Sequence, residues 1–128
     1  MAVRIVRLGT PREAGEGPRI GTVRRPPRGV PKSRFASDDW YDVWFPDVAP
    51  SQETIGLLKA SPDAEGWKRF ARRYRAEMKE PHASRSLDLL AILSQQADFA
   101  VGCYCENEAR CHRSILRELL AERGATIS

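Results

Sequence analysis

Seven of the nine prolines and five of the nine glycines fall within the first 50 residues, which excludes long helices there and divides the chain into two unlike parts. The first part must consist of short strands and ordered loops. Val3-Arg4-Ile5-Val6-Arg7-Leu8 approximates apolar/polar alternation and stops at Gly9. Ile20-Gly21-Thr22-Val23-Arg24 predicts a second strand ending before Pro26-Pro27, and Tyr41-Asp42-Val43-Trp44-Phe45 a third, closed by Pro46. In Arg25-Pro26-Pro27-Arg28-Gly29-Val30-Pro31, three prolines fix φ and one glycine permits a turn, so the segment predicts a stiff loop presenting Arg25 and Arg28.

From residue 51 the apolar period becomes helical. Ser51 is a candidate N-cap for a helix through about residue 59. In the next helix Ser61 can cap and Pro62 suits the first turn, while Trp67, Phe70, Ala71, Tyr74 and Met78 form one apolar stripe, read as core, up to Pro81 as terminator. A third helix is expected from Ser84 or Ser86 to about residue 96, with Leu87, Leu89, Leu90, Ile92 and Leu93 inward. Residues 99–105 are nearly all apolar, as in a strand buried on both faces. A polar loop, a last helix over about 111–123 and Gly124 as C-cap follow, and Ala125-Thr126-Ile127 offers a returning parallel strand. At 128 residues the chain suits one domain, with residues 1–50 strands and basic loops, 51–97 helical and 98–128 strand-loop-helix. The expected fold is a small α/β domain: a mixed or partly parallel sheet of about four or five short strands with about four helices packed on it.

No apolar run approaches the roughly 18 residues needed to cross a bilayer, and the first residues lack the apolar region of a signal peptide. The expectation is a cytoplasmic chain with no membrane partner. The three cysteines lie within residues 103–111, where they cannot staple distant parts of a fold, so they are free thiols or ligands. Charge is uneven: residues 1–35 hold nine Lys/Arg against Glu13 and Glu16, while the remainder holds twelve basic and fifteen acidic groups. That excess points to a phosphate-bearing partner, a nucleotide or nucleic acid, or to a merely solvated basic surface. Nothing in the pattern specifies an oligomeric state.

The stretch from Cys103 to Ser114 carries the chemistry. It begins where a strand ends and closes on a helix N-terminus, whose unsatisfied N–H groups and partial positive charge attract anions. Cys111, His112, Arg113 and Ser114 fall in or beside that first turn. By period two, Cys103 and Cys105 share a face, Cys103 reading as core and Cys105 as the thiol placed to react. A thiolate there is favoured by the helix N-terminus, Arg113 and protonated His112, and opposed by Glu106 and Glu108. The residues assigned to chemistry are therefore Cys105 as nucleophile or redox centre, His112 as acid/base or anion donor and Glu106 as orienting carboxylate or base. Arg25, Arg28, Cys111, Arg113 and Ser114 are assigned to ligand binding.

Zinc is the competing reading, because Cys103, Cys105, Cys111 and His112 are four potential ligands within ten residues. Against it, Cys103 is expected to point into the core, and adjacent Cys111 and His112 on a helix would project about 100° apart. A Cys105–Cys111 disulfide is disfavoured in cytosol. The sequence reading accordingly assigns no metal and no cofactor, and keeps structural zinc and a non-catalytic nucleic-acid-binding or regulatory module as alternatives.

Together, residues 20–30, residues 40–51 with Phe45-Pro46-Asp47-Val48-Ala49-Pro50-Ser51, residues 67–78 and residues 103–120 resemble the family called domain of unknown function 488, which includes a YeaO-like branch. The resemblance implies a compact α/β domain, bacterial or archaeal and cytosolic, without an established activity. It places the family's basic loop on Pro27-Arg28-Gly29, its Ala-Pro-Ser turn on Ala49-Pro50-Ser51, and its cysteine signature on Cys103/Cys105-Glu106 and Cys111-His112-Arg113. Where the YeaO-like branch resembles Asp-Arg-x-Trp before Pro-Arg-Gly, this chain has Arg24-Arg25-Pro26 and so no carboxylate at that loop; the resemblance sets it on the cysteine-bearing side of the family because YeaO-like members often lack the Cys-His-Arg cluster. What remains to be decided in space is whether the basic loop and the cysteine loop face one hollow.

Overall fold

The computed structural model describes residues 1–128. Four strands, β1 (Val3–Arg7), β2 (Arg19–Gly21), β3 (Val43–Trp44) and β4 (Phe99–Cys103), form an all-parallel sheet in the order β1-β4-β2-β3. Four helices accompany it: α1 (Gln52–Ala60), α2 (Ala64–Glu77), α3 (Pro81–Leu93) and α4 (His112–Glu122). The expected α/β class is therefore present, with every ladder parallel. β4 is central and buried along its whole length, as its unbroken apolar run requires. Gly102 sits where a Cβ would lie 2.6 Å from the Val6 carbonyl oxygen, so the close approach of β1 to β4 needs a residue without a side chain. The tail adds only a single parallel bridge, Ile127 to Val3.

Helix boundaries depart from expectation at three places. Ser51 does cap α1, accepting from the Thr54 N–H, but α2 is capped by Asp63, which accepts from the Gly66 N–H at 2.9 Å. The carboxylate is the stronger acceptor facing the positive helix end, and Ser61 instead donates to it. Pro81 does not terminate α2, which ends at Glu77; it opens α3 at the first-turn position where its missing N–H costs nothing. In α3, Leu87 and Leu90, three apart, share the buried face, while Leu89, Ile92 and Leu93 fall on the other side and face solvent rather than the core.

The main core joins Val3, Phe99 and Val101 of the sheet to Phe70 and Tyr74 of α2 and Met78 at its C-cap, Leu87 and Leu90 of α3, and Ile115, Leu116, Leu119 and Leu120 of α4. The stripe on α2 is thus core, with half-buried Trp67 stacked on Phe70 at 5.3 Å. A second, smaller cluster contains Leu8, Val23, Tyr41, Cys103 and Cys111, flanked by Trp40 and Tyr104. It lies beside the carboxyl ends of the strands and supports what opens there. No helix is long and apolar enough to cross a membrane.

Candidate functional site

The residues that follow β1, β2 and β4 line one cleft of about 1240 Å³, at the end of the sheet where open parallel folds bind ligands. It exceeds the roughly 300–1,000 Å³ of most small-molecule pockets, leaving room for a nucleotide-sized ligand. Arg25 and Arg28 border it together with Cys105, Cys111 and His112. The basic loop and the cysteine loop therefore share a wall space, and a hydrogen bond explains why: the Tyr104 hydroxyl donates to the Arg25 carbonyl at 3.0 Å, tying the loop after β2 to the end of β4.

Six cations border the cleft, Arg7, Arg24, Arg25, Arg28, Lys59 and Arg110, and no carboxylate does. They differ in freedom. Arg24 donates to the carbonyls of Pro46, Ala49 and Pro50 and fixes the turn before α1. Arg25 lies against the Gln52 amide; with that amide turned so that its oxygen faces the guanidinium, Arg25 donates to it through Nε and Nη2 at 2.6 and 2.8 Å. Arg7 reaches the Tyr104 carbonyl and, at 3.7 Å, Glu106 on the rim; Arg110 lies over the Trp67 ring. Arg28 and Lys59 are exposed and have no side-chain partner, so their charge is available to a ligand. Sequence reasoning missed Arg7, Lys59 and Arg110. Arg7 alone carried a signal, its place at the carboxyl end of a strand.

Four other arginines counted in the N-terminal excess are engaged elsewhere. Arg4 pairs with Glu13, Arg12 with Asp39 and Asp42, Arg34 with Asp38, and Arg19 with Glu16 in a fully buried pair. The basic surface is smaller than the charge count implies.

On the opposite wall Cys111 is the N-cap of α4, with extended backbone at φ −122° and ψ 151°, not a helical residue. That one fact removes the expected divergence of Cys111 from His112. The ligand atoms of Cys103, Cys111 and His112, all buried, lie within 4.8 Å of one another, and the Cys105 Sγ is 3.8 Å from that of Cys103. His112 Nε2 is 2.8 Å from the Thr22 carbonyl oxygen. A carbonyl only accepts, so Nε2 carries hydrogen and, in a neutral ring, Nδ1 is the bare nitrogen, facing the Cys111 Sγ at 3.9 Å. His112 is thus directed at sulfur and backbone rather than free to serve a ligand as acid or base.

Cys105 is the exposed thiol; Cys103 and Cys111 are buried. Hydrogen bonding from the Cys103 thiol, then from Cys111, with the charge of Arg113 beyond, holds the Cys105 thiol well below the usual range. Donation to both neighbours and burial push Cys103 far up. Cys111 is lowered by Cys103 and, less strongly, by His112, against the opposing effects of Cys105 and of burial. The two glutamates expected to oppose a thiolate are occupied: Glu106 by Arg7, and Glu108 by both donors of Arg117, at 2.9 and 3.1 Å.

The remaining residues assigned from sequence do not line the cleft. Glu106 is exposed on the rim and turned to Arg7, so it does not orient Cys105. Arg113 is buried and donates to the Cys105 carbonyl at 2.6 Å, bracing the loop from below rather than clamping a ligand, and its Nε has no partner. Ser114 donates back to the Cys111 carbonyl at 3.0 Å within the first turn.

In comparison with known proteins, a family model described as the active DUF488-N3 subclade, DUF488-N3a, matches residues 3–124. No curated protein and no solved structure matches the chain.

Proposed function

We propose, from the premise that the chain belongs to the DUF488 family, that it is an enzyme binding a phosphate-bearing ligand in the cleft and presenting the Cys105 thiol to it. One observation carries this reading: the exposed Cys105 and six cations, unaccompanied by any carboxylate, border the same hollow. Arg28 and Lys59 supply unpaired charge, Arg25 is pre-set by Gln52 and so loses little freedom on binding, and the apolar flank of Trp40 and Phe70 suits the ring of a nucleotide. Cys105 is the candidate nucleophile, because it is the one thiol at the surface and its sulfur lies 3.8 Å from that of Cys103. The subclade's description as active agrees with chemistry beyond binding. Three free thiols suit the reducing cytoplasm, the compartment we assign it.

The test is alkylation of the three cysteines of chelator-treated, metal-free protein by iodoacetamide at neutral pH, read by peptide mass spectrometry, with and without inorganic phosphate or ADP. Cys105 is expected to react first, and phosphate or ADP is expected to slow it in wild type but not in Arg28→Ala. Uniform slow labelling of all three thiols, or labelling of Cys105 indifferent to both anions, overturns the reading. A non-catalytic nucleic-acid binder would instead show strongly salt-dependent binding of an oligonucleotide that Cys105→Ser leaves intact and no phosphate protection.

A further inference from the structure

We propose that Cys103, Cys105, Cys111 and His112 hold one tetrahedral zinc ion at the floor of the cleft, through three sulfurs and the histidine Nδ1. The edges of the cluster carry the argument. With Zn–S near 2.3 Å and Zn–N near 2.1 Å, a tetrahedral site has S···S edges of about 3.8 Å and S···N edges of about 3.6 Å. The Cys103–Cys105 sulfurs are 3.8 Å apart, the Cys111 sulfur is 3.9 Å from His112 Nδ1, and Cys103, Cys111 and His112 lie within 4.8 Å of one another. Cys103, Cys111 and His112 already form three corners, and Cys105, which meets them through Cys103, must swing its sulfur inward to supply the fourth.

Two further features fit a metal. Nε2–H of His112 is bound by the Thr22 carbonyl at 2.8 Å, the outer hydrogen bond that fixes a ligating imidazole in the tautomer with Nδ1 bare. Arg113 is a buried guanidinium with no carboxylate partner, attached to the Cys105 carbonyl. A buried charge needs a counter-charge, and three thiolates with one Zn²⁺ and a neutral imidazole sum to the single negative charge that Arg113 balances. Binding releases the thiol protons to solvent and makes no other bond change. All four ligands border the cleft, which gives the ion an entry path, and Cys105 is the exposed one. The metal would hold Cys105 deprotonated where the bound ligand meets it.

The inference rests on sulfur and imidazole geometry, not on the anion reading, and its test is separate. Protein freed of metal by chelator is titrated with Co²⁺ and then Zn²⁺. One equivalent of Co²⁺ is expected to give the intense visible bands of a tetrahedral site and thiolate charge transfer, both displaced by one equivalent of Zn²⁺. In Cys105→Ser, whose exposed position keeps the fold intact by circular dichroism, charge transfer is expected to fall by about a third. Zn²⁺ affinity is expected to drop beyond the roughly 10–100-fold that loss of a supporting outer partner costs. Absence of tetrahedral bands in wild type overturns the site; a Cys105→Ser spectrum and affinity equal to wild type overturn Cys105 as ligand. An intact cobalt spectrum without phosphate protection of Cys105 would remove only the anion reading.

Discussion

Two arginines are buried in this molecule, and their surroundings could hardly differ more. Arg19, 1% exposed, donates to Glu16 through Nε and Nη2 and to the carbonyls of Thr10, Pro11 and Asp39, so its charge and its donors are met by carboxylate and backbone. Arg113, 3% exposed, finds one carbonyl, leaves Nε without a partner and pairs with no carboxylate, and its charge acts on the Cys105 thiol. The first is a strut that fastens the connection between β1 and β2 to the loop before β3. The second braces a loop whose sulfur chemistry it is electrostatically coupled to. A complete set of partners marks a residue kept for the fold; an incomplete set beside titratable groups marks one kept for the site.

The contrast breaks most visibly at Glu16. Glu16→Gln leaves Arg19 buried without a counter-charge, an expected loss of roughly 3–5 kcal/mol in urea unfolding, while the cobalt spectrum of the surviving folded protein stays unchanged. Arg113→Met, which keeps volume and removes charge, should do the reverse: metal affinity falls about 10–100-fold, whereas stability changes by only about 1–3 kcal/mol. Equal effects of the two substitutions on both readouts would erase the distinction.

The same pair fixes the acid limb. Burial pushes the Glu16 carboxyl up, but Arg19 and the Glu13 N–H more than offset it and its pKa lies below the ordinary value; the more exposed Asp42, partly desolvated but bound by Arg12 and the Arg19 N–H, is lowered likewise. Groups with lowered folded-state pKa contribute stability that is present above the unfolded value and lost as pH falls through the folded one. Unfolding free energy should therefore decline below about pH 4.5, and Glu16→Gln should flatten that decline. On the free side of the cleft, Arg28→Ala should weaken phosphate about 10–100-fold at low salt and leave stability within about 0.5 kcal/mol. The smallest effect is expected at Arg4→Ala, whose pair with exposed Glu13 is worth at most about 1 kcal/mol by thermal melting.

Much of the architecture was legible because its signals are local. The period of the stripe on α2, the unbroken apolar run of β4 and the proline-glycine density of the first 50 residues each have one structural solution. What failed was competition between neighbouring caps. Ser61 and Asp63 both suit an N-cap, and Pro81 suits a stop as well as a start, so the pattern alone could not rank them. At the site, whether the Arg25/Arg28 loop meets the cysteine loop was left open by the sequence, because the Tyr104 to Arg25 hydrogen bond that joins them spans 79 residues and has no sequence signature. Treating Cys111 as helical argued against metal; its extended cap conformation reverses that geometric objection. Arg113 was placed in the cleft because charge reads as surface, whereas its burial follows from its position on the inward face of α4.

The central claim is that the cations of the loop after β2 and the thiol of the loop after β4 act on one anion. A crystal structure of the wild-type protein with inorganic phosphate tests it most directly. The account predicts phosphate oxygens within about 3 Å of the Arg28 guanidinium, on the side of the cleft that Cys105 faces. Phosphate bound elsewhere on the molecule, with this cleft holding none, would contradict it.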